Sequence, residues 1–187
     1  MEGRPPELRG AGPEGAGVVV RLALAGDAPQ FLVIEAAAGE RFRSIAEVAF
    51  VADHDPAFAP EVIDAALAEE RLWVAEVHGV VVGFALGVDL DGQPHLEQIS
   101  VLPAWSGLGI GTALVDSVVA WASTRAGSLT LATFRDVPWN APLYAHLGFV
   151  ALDEDEVRAD GRLLTVRAAE AEHGLDPLTR VFMRRSV

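Results

Sequence analysis

The chain has 187 residues, 51% of them hydrophobic, with 14 Lys and Arg against 27 Asp and Glu for a formal charge of −13. That length makes one domain with room for a substantial core, which excludes general disorder, and the acidity argues against nucleic-acid or membrane-surface binding, which needs a basic face. The absence of cysteine excludes disulfide scaffolds, thiolate zinc sites and thiol nucleophiles.

Residues 1–17 are Gly, Pro and charge without apolar periodicity and read as a flexible tail, leaving a single domain over 18–187. The stretch AGVVVRLALAG is short and interrupted by Arg21, so it is neither a signal h-region nor a membrane span; a soluble, cytoplasmic protein is expected. A strand is predicted from Val18 to Ala25, closed by Gly26-Asp27. A helix follows with Asp27 as N-cap and Phe31, Leu32, Ile34 and Ala38 at helical spacing. After the loop ADHDP a second helix runs through Val62, Ile63, Ala66 and Leu67. LWVAEV and VVVGFALGV form a hairpin about His78-Gly79, and Asp91-Gly92 turns into a third run, HLEQISV, ending at Pro103. Gly111 to Arg125 is a helix with Leu114, Val115, Val118, Trp121 and Ala122 as its apolar stripe and Gly127 as its C-cap. SLTLATF is a strand, Asn140 to Leu147 a short helix stopped by Gly148, and FVAL and TRVFMRR are the last strands. The polar, alanine-rich segment 154–178 is partly helical. Hairpins followed by one crossover predict a mixed α/β sheet in three layers.

The chemically loaded segment is SVLPAWSGLGIGTALV. Gly107, Gly109 and Gly111 stand on alternate positions between a strand end and a helix start, so backbone N–H groups can turn toward an anion at the helix mouth. A nucleotide P-loop needs GxxxxGK[ST], and no lysine follows. A dinucleotide fingerprint needs GxGxxG, but counting from Gly107 the last position is Thr112, and from Gly109 it is Leu114.

LEQISVLPAWSGLGIGTALV resembles the acyl-coenzyme-A motif of the GNAT-type N-acetyltransferases, (Q/R)-x-x-G-x-(G/A), which falls here at Ser106 to Gly111. WNAPLYAHLGF resembles the same family's helix in which an Asn and a Tyr precede a closing L-G-F. The first motif position is Ser106 where the family usually has Gln or Arg. The resemblance extends from about Val18 to Met183 and implies a GNAT-like three-layer α/β fold, a mixed, mostly antiparallel sheet flanked by helices.

It also implies direct transfer of an acetyl group from acetyl-CoA to an amine, without a covalent enzyme intermediate or a metal. The cosubstrate would be held by Ile99, Ser100 and Val101 on the strand and by Ser106, Gly107, Leu108, Gly109, Ile110, Gly111 and Thr112 in the loop. Asn140 would also contact it, besides serving as a helix N-cap. A backbone N–H of the strand would stabilise the oxyanion. Tyr144, the only tyrosine, falls on the family position of the acid that protonates the leaving thiolate. Glu97 is the matching strand residue for the base, or else simply faces solvent on an edge, with Gln98, His95 or a water relay as alternatives. Strict alternation puts His95, Glu97, Ile99 and Val101 on one face, and a bulge would reverse that.

A small-molecule primary amine is the expected acceptor. The alternatives are a protein N-terminus or lysine, which an open peptide groove would favour, and a non-catalytic acyl-CoA-binding protein. The resemblance also allows a homodimer. Trp105 and Trp139 read as packing residues, with Trp139 a candidate for the acceptor wall. Asp53, His54 and Asp55 read as a solvated loop, and Asp153 to Glu156 as a solvated turn. Arg41, Arg43, Arg125 and Arg135 read as surface charges, any of which could reach a CoA phosphate.

Overall fold

The computed structural model describes residues 17–53, 58–175 and 179–187. The tail over 1–16 and the pair His54 and Asp55 lie outside these residues. Seven strands, β1 (Val18–Leu22), β2 (Leu72–Val77), β3 (Val80–Leu90), β4 (Gln93–Val101), β5 (Ser128–Phe134), β6 (Val150–Ala151) and β7 (Arg180–Ser186), form one sheet in the order β1-β2-β3-β4-β5-β7-β6. Every neighbouring pair is antiparallel except β4 and β5. Six α-helices accompany it among the described residues: α1 (Ala28–Gly39), α2 (Pro60–Ala68), α3 (Ile110–Ser123), α4 (Ala141–His146), α5 (Glu154–Ala159) and α6 (Gly161–Glu172).

Helices cover both faces. The stripe of α3, from Leu114 through Val115, Val118, Trp121 and Ala122, packs with Tyr144 of α4 on Trp73, Ala85, Leu129 and Leu131 of the sheet. On the other face Phe31 and Ile34 of α1 and Ile63 and Ala66 of α2 meet Leu72, Val74, Phe84 and Leu86. Val157 and Leu163 of α5 and α6 close over Phe182. Central β3 is therefore buried on both sides from Val81 to Gly87, which is why its sequence is a continuous apolar run rather than an alternating one. The turns His78-Gly79 and Asp91-Gly92 have positive φ at both residues, the backbone of two-residue hairpins.

Local chemistry differs from expectation at several termini. β1 stops at Leu22 because Asp27 turns inward: its carboxylate accepts from the Leu24 N–H at 2.8 Å and pairs with Arg21 at 2.7 Å. Asp27 precedes α1 but makes no side-chain cap there. Leu32 is exposed although Phe31 and Ile34 beside it are buried. Two 3-10 segments, Glu40–Ser44 and Ala46–Asp53, occupy what reads as helix end and loop. Gly127 does not cap α3, which closes at Thr124; instead its carbonyl accepts from the Val187 N–H. Asp153 to Glu156 is solvated as expected but is the start of α5 rather than a turn: the Asp153 carboxylate accepts from the Glu156 N–H at 2.8 Å and the Glu156 carboxylate accepts from the Asp153 N–H at 3.0 Å.

One close approach ties the core to the cleft described below. A Cβ on Gly83 would lie 2.9 Å from the Ser100 carbonyl oxygen on β4 and 3.3 Å from Leu114 Cδ1 on α3. Gly83→Ala is expected to cost about 1–3 kcal/mol by overpacking. A lower denaturant midpoint at unchanged slope is the expected result, and wild-type stability would contradict it.

Candidate active site

β4 and β5 run parallel but pair only at His95↔Thr130 and Leu96↔Leu131. Beyond Leu96 the strands part, and a cavity of about 330 Å³ opens between them, walled by residues 96–101 of β4 and 132–134 of β5. Its remaining wall comes from the end of α1 and the segment after it, including Glu35 and Arg41, from Trp139, Asn140 and Tyr144 at α4, and from Leu175 and Arg180. Gly111, in the first turn of α3, also lines it.

A bulge sets which β4 side chains face this space. Leu86 of β3 pairs with Gln98 and Gly87 with Leu96, so Glu97 is the extra residue. The bulge shifts the alternation by one: Leu96, Ile99 and Val101 all pack on the α3 side, and His95 goes to the opposite one. His95 is 1% exposed, and its Nδ1 lies 2.8 Å from Thr130 Oγ1. Burial, with the Arg180 charge adding to it, lowers its pKa to about 4. His95 is thus buried and does not line the cavity, which argues against it as the base.

Glu97 is open to the cavity while protein surrounds it at longer range. Burial raises its carboxyl pKa, the Glu170 charge adds to this, and Arg180 opposes it. Gln98 lines the same cavity but donates its amide to Ser100 Oγ at 3.0 Å. Across the cavity from β4, α1 supplies a second carboxyl that the sequence reading missed. Burial alone pushes Glu35 up to about 7. Its signal in the sequence was a lone acid in the apolar run FLVIEAAAG, which helical spacing did not single out.

Tyr144 is buried at the α4 end, its ring edge-on to Phe149 with centroids 5.8 Å apart. Its hydroxyl has no hydrogen-bond partner among the described residues, and burial raises its pKa to about 12. Asn140 stands at the N-cap position of α4, but its side chain makes no cap bond, leaving the amide free for the cavity it lines. Trp139 packs with Phe42, Phe134 and their neighbours and also walls the cavity, whereas Trp105 packs against the α3 core.

The glycine segment sits where the parting strands lead. Gly107 and Gly109 have φ of 78° and 80°, a left-handed conformation that side chains resist. No backbone or side-chain acceptor among the described residues takes the N–H groups of residues 107–112; the first helical bond runs from the Ala113 N–H to the Gly109 carbonyl. A Cβ at Gly107 or Gly111 would meet nothing within 4 Å. Open space beside a row of free N–H donors at the start of a 14-residue helix fits a pyrophosphate. Ser106 opens this segment, with Leu108 packed against the core and Ile110 buried in it, so these two contribute backbone only; Thr112 ends the row.

A family model for the acetyltransferase (GNAT) family matches residues 39–149, which include the splayed strands, the glycine segment and α4. The chain belongs to that family. Solved structures agree on the fold. N-acetylglutamate synthase from Neisseria gonorrhoeae, complexed with coenzyme A and N-acetyl-glutamate, superposes with a TM-score of 0.63 at 17% identity over 90% of this chain. The match spans 35% of that longer protein. The PaiA N-acetyltransferase from Thermoplasma acidophilum, in complex with coenzyme A, gives 0.59 at 12% identity, covering 91% of this chain and 99% of its own. A ribosomal-protein alanine N-acetyltransferase from Escherichia coli gives 0.60 at 16%, covering 91% and 94%. Among the described residues of this acetyltransferase no helix is long and apolar enough to cross a membrane.

Proposed function

We propose that this acetyltransferase, through a single domain over 18–187, moves an acetyl group from acetyl-CoA to a primary amine of a small molecule in the cytoplasm. The observation that carries the reading is the convergence of Glu97, Tyr144 and the mouth of α3 on one cavity at the parting of β4 and β5. Acetyl-CoA supplies an activated thioester whose phosphates suit the 107–112 donors.

The rest is work for the chain's own groups. An alkyl amine with pKa about 10 is mostly protonated at neutral pH, and Glu97 takes its proton directly or through water. Burial helps here, because it raises the carboxyl pKa and so makes the carboxylate a stronger base. Residues 99–101, unpaired on the β5 side, offer backbone N–H groups to the developing oxyanion. A phenol held at about 12 stays protonated throughout the working range. A thiolate with pKa about 8.5 is a weaker base than that phenolate, so Tyr144 donates a hydrogen bond to it. Tyr144 then relays the proton released by the acylated nitrogen rather than ionising by itself.

The cavity volume is at the low end for ligand pockets, and two carboxyl groups, Glu35 and Glu97, wall it beside Arg41 and an Arg180 already paired with Glu170. Both features suit a small acceptor that arrives as an ammonium ion. A second reading, acetylation of a protein N-terminus, draws on the likeness to the ribosomal-protein enzyme. Comparing kcat/KM for small primary amines with that for short peptides separates them: a clear preference for the small amines is expected, and one for peptides would install the second reading.

Glu97→Gln should lower kcat/KM at neutral pH by about 10-fold, less than a solitary direct base would, because Glu35 and solvent remain as proton acceptors. The deficit should shrink as pH rises and free amine accumulates. A mutant that keeps the parental pH–rate profile would remove Glu97 from the mechanism.

A further inference from the structure

Arg41 stands apart from the other arginines near the cleft. Arg43 is committed to Glu40 and Asp53, both at 2.8 Å, and Arg180 is paired with Glu170. Arg125 lies over Trp121 at the far end of α3, and Arg135 donates to the Arg180 carbonyl. Arg41 has no carboxylate partner among the described residues, in a chain with 27 acidic side chains. Its guanidinium lies 4.5 Å from the centroid of the Trp139 ring. Its Nη1 donates to Ser106 Oγ at 3.4 Å, a long, weak bond. One side chain, carried on the segment after α1, thus reaches both loops at the open ends of β4 and β5.

We propose that Arg41 is a phosphate-binding residue for the cosubstrate, a cation brought from outside the glycine segment to the side of the anion site that Ser106 occupies. The Trp139 ring holds the guanidinium over its face, and apart from the Ser106 contact its N–H donors have no partner among the described residues, which leaves them for a phosphate. The Ser106 contact is weak enough to yield to a charged oxygen, whose bond to a guanidinium is shorter and roughly twice as strong. Free N–H groups of residues 107–112 then bind the anion from the helix mouth while Arg41 binds it from above the cleft. Ser106 itself is neutral and supplies no such charge.

The inference rests on the proposed acetyl-CoA reading, and binding measurements separate the two. Coenzyme A and pantetheine, which lacks the phosphates, are titrated calorimetrically into wild type, Arg41→Gln and Arg41→Lys, each first shown to melt like the wild type. Arg41→Gln is expected to weaken coenzyme A by about 10- to 100-fold and to leave pantetheine unchanged, with Arg41→Lys between. The wild-type affinity for coenzyme A, but not that for pantetheine, should fall with salt, and less steeply in Arg41→Gln. Coenzyme A binding that survives Arg41→Gln, or an equal loss for both ligands, overturns the assignment alone. A raised acceptor KM at unchanged coenzyme A affinity also overturns it, placing Arg41 on the acceptor. Wild-type protein that binds no coenzyme A overturns the donor reading and this inference together.

Discussion

Gly111→Leu is expected to yield a folded protein that has lost coenzyme A binding by about 100-fold or more, roughly 2.7 kcal/mol. The substitution isolates the glycine segment from the fold. Gly111 has no positive φ, unlike Gly107 and Gly109, and a Cβ there meets nothing within 4 Å. Leucine is also the better helix former, so α3 should be slightly stabilised. What the side chain fills is the space beside the free N–H groups of 107–112, through which a pyrophosphate must approach. Gly109→Val gives the same loss at the cost of strain, because a β-branched residue is forced to φ near 80°. Wild-type affinity in a stable Gly111→Leu protein would show that the anion site lies elsewhere.

Tyr144→Phe is expected to lower kcat by about 100-fold, the range for a positioned proton donor, with little change in coenzyme A affinity. The ring and its edge-on contact with Phe149 are kept, and the hydroxyl that is lost has no partner among the described residues to leave unsatisfied. Stability should therefore hold or rise slightly. A mutant with full turnover per folded molecule would make Tyr144 a packing residue only.

Most of the fold was legible because its signals are local. The apolar stripe of α3, the runs of β2 and β3, and the His78-Gly79 and Asp91-Gly92 turns each carry a period or a turn chemistry that short windows reveal. The glycine segment was legible for the same reason. What escaped were arrangements fixed by tertiary contact. The parting of β4 from β5 leaves no mark in either strand's sequence. The Glu97 bulge, which sends His95 into the core, depends on how β3 meets β4. Glu35 reaches the cleft only because α1 lies across strands from a distant part of the chain, and the packing of the segment after α1 singles out Arg41 from the four arginines the sequence offered for a phosphate. The 3-10 segments between α1 and α2 were missed because their apolar residues follow no helical period.

The most direct measurement follows thiol release from acetyl-CoA by the wild-type enzyme, with and without amine, and quantifies the acetylated amine by mass spectrometry in the same samples. Release should depend on the amine and match the acetylated product mole for mole. Protein that binds coenzyme A but shows no release above the amine-free rate, across small amines and peptides alike, would contradict transfer at this site.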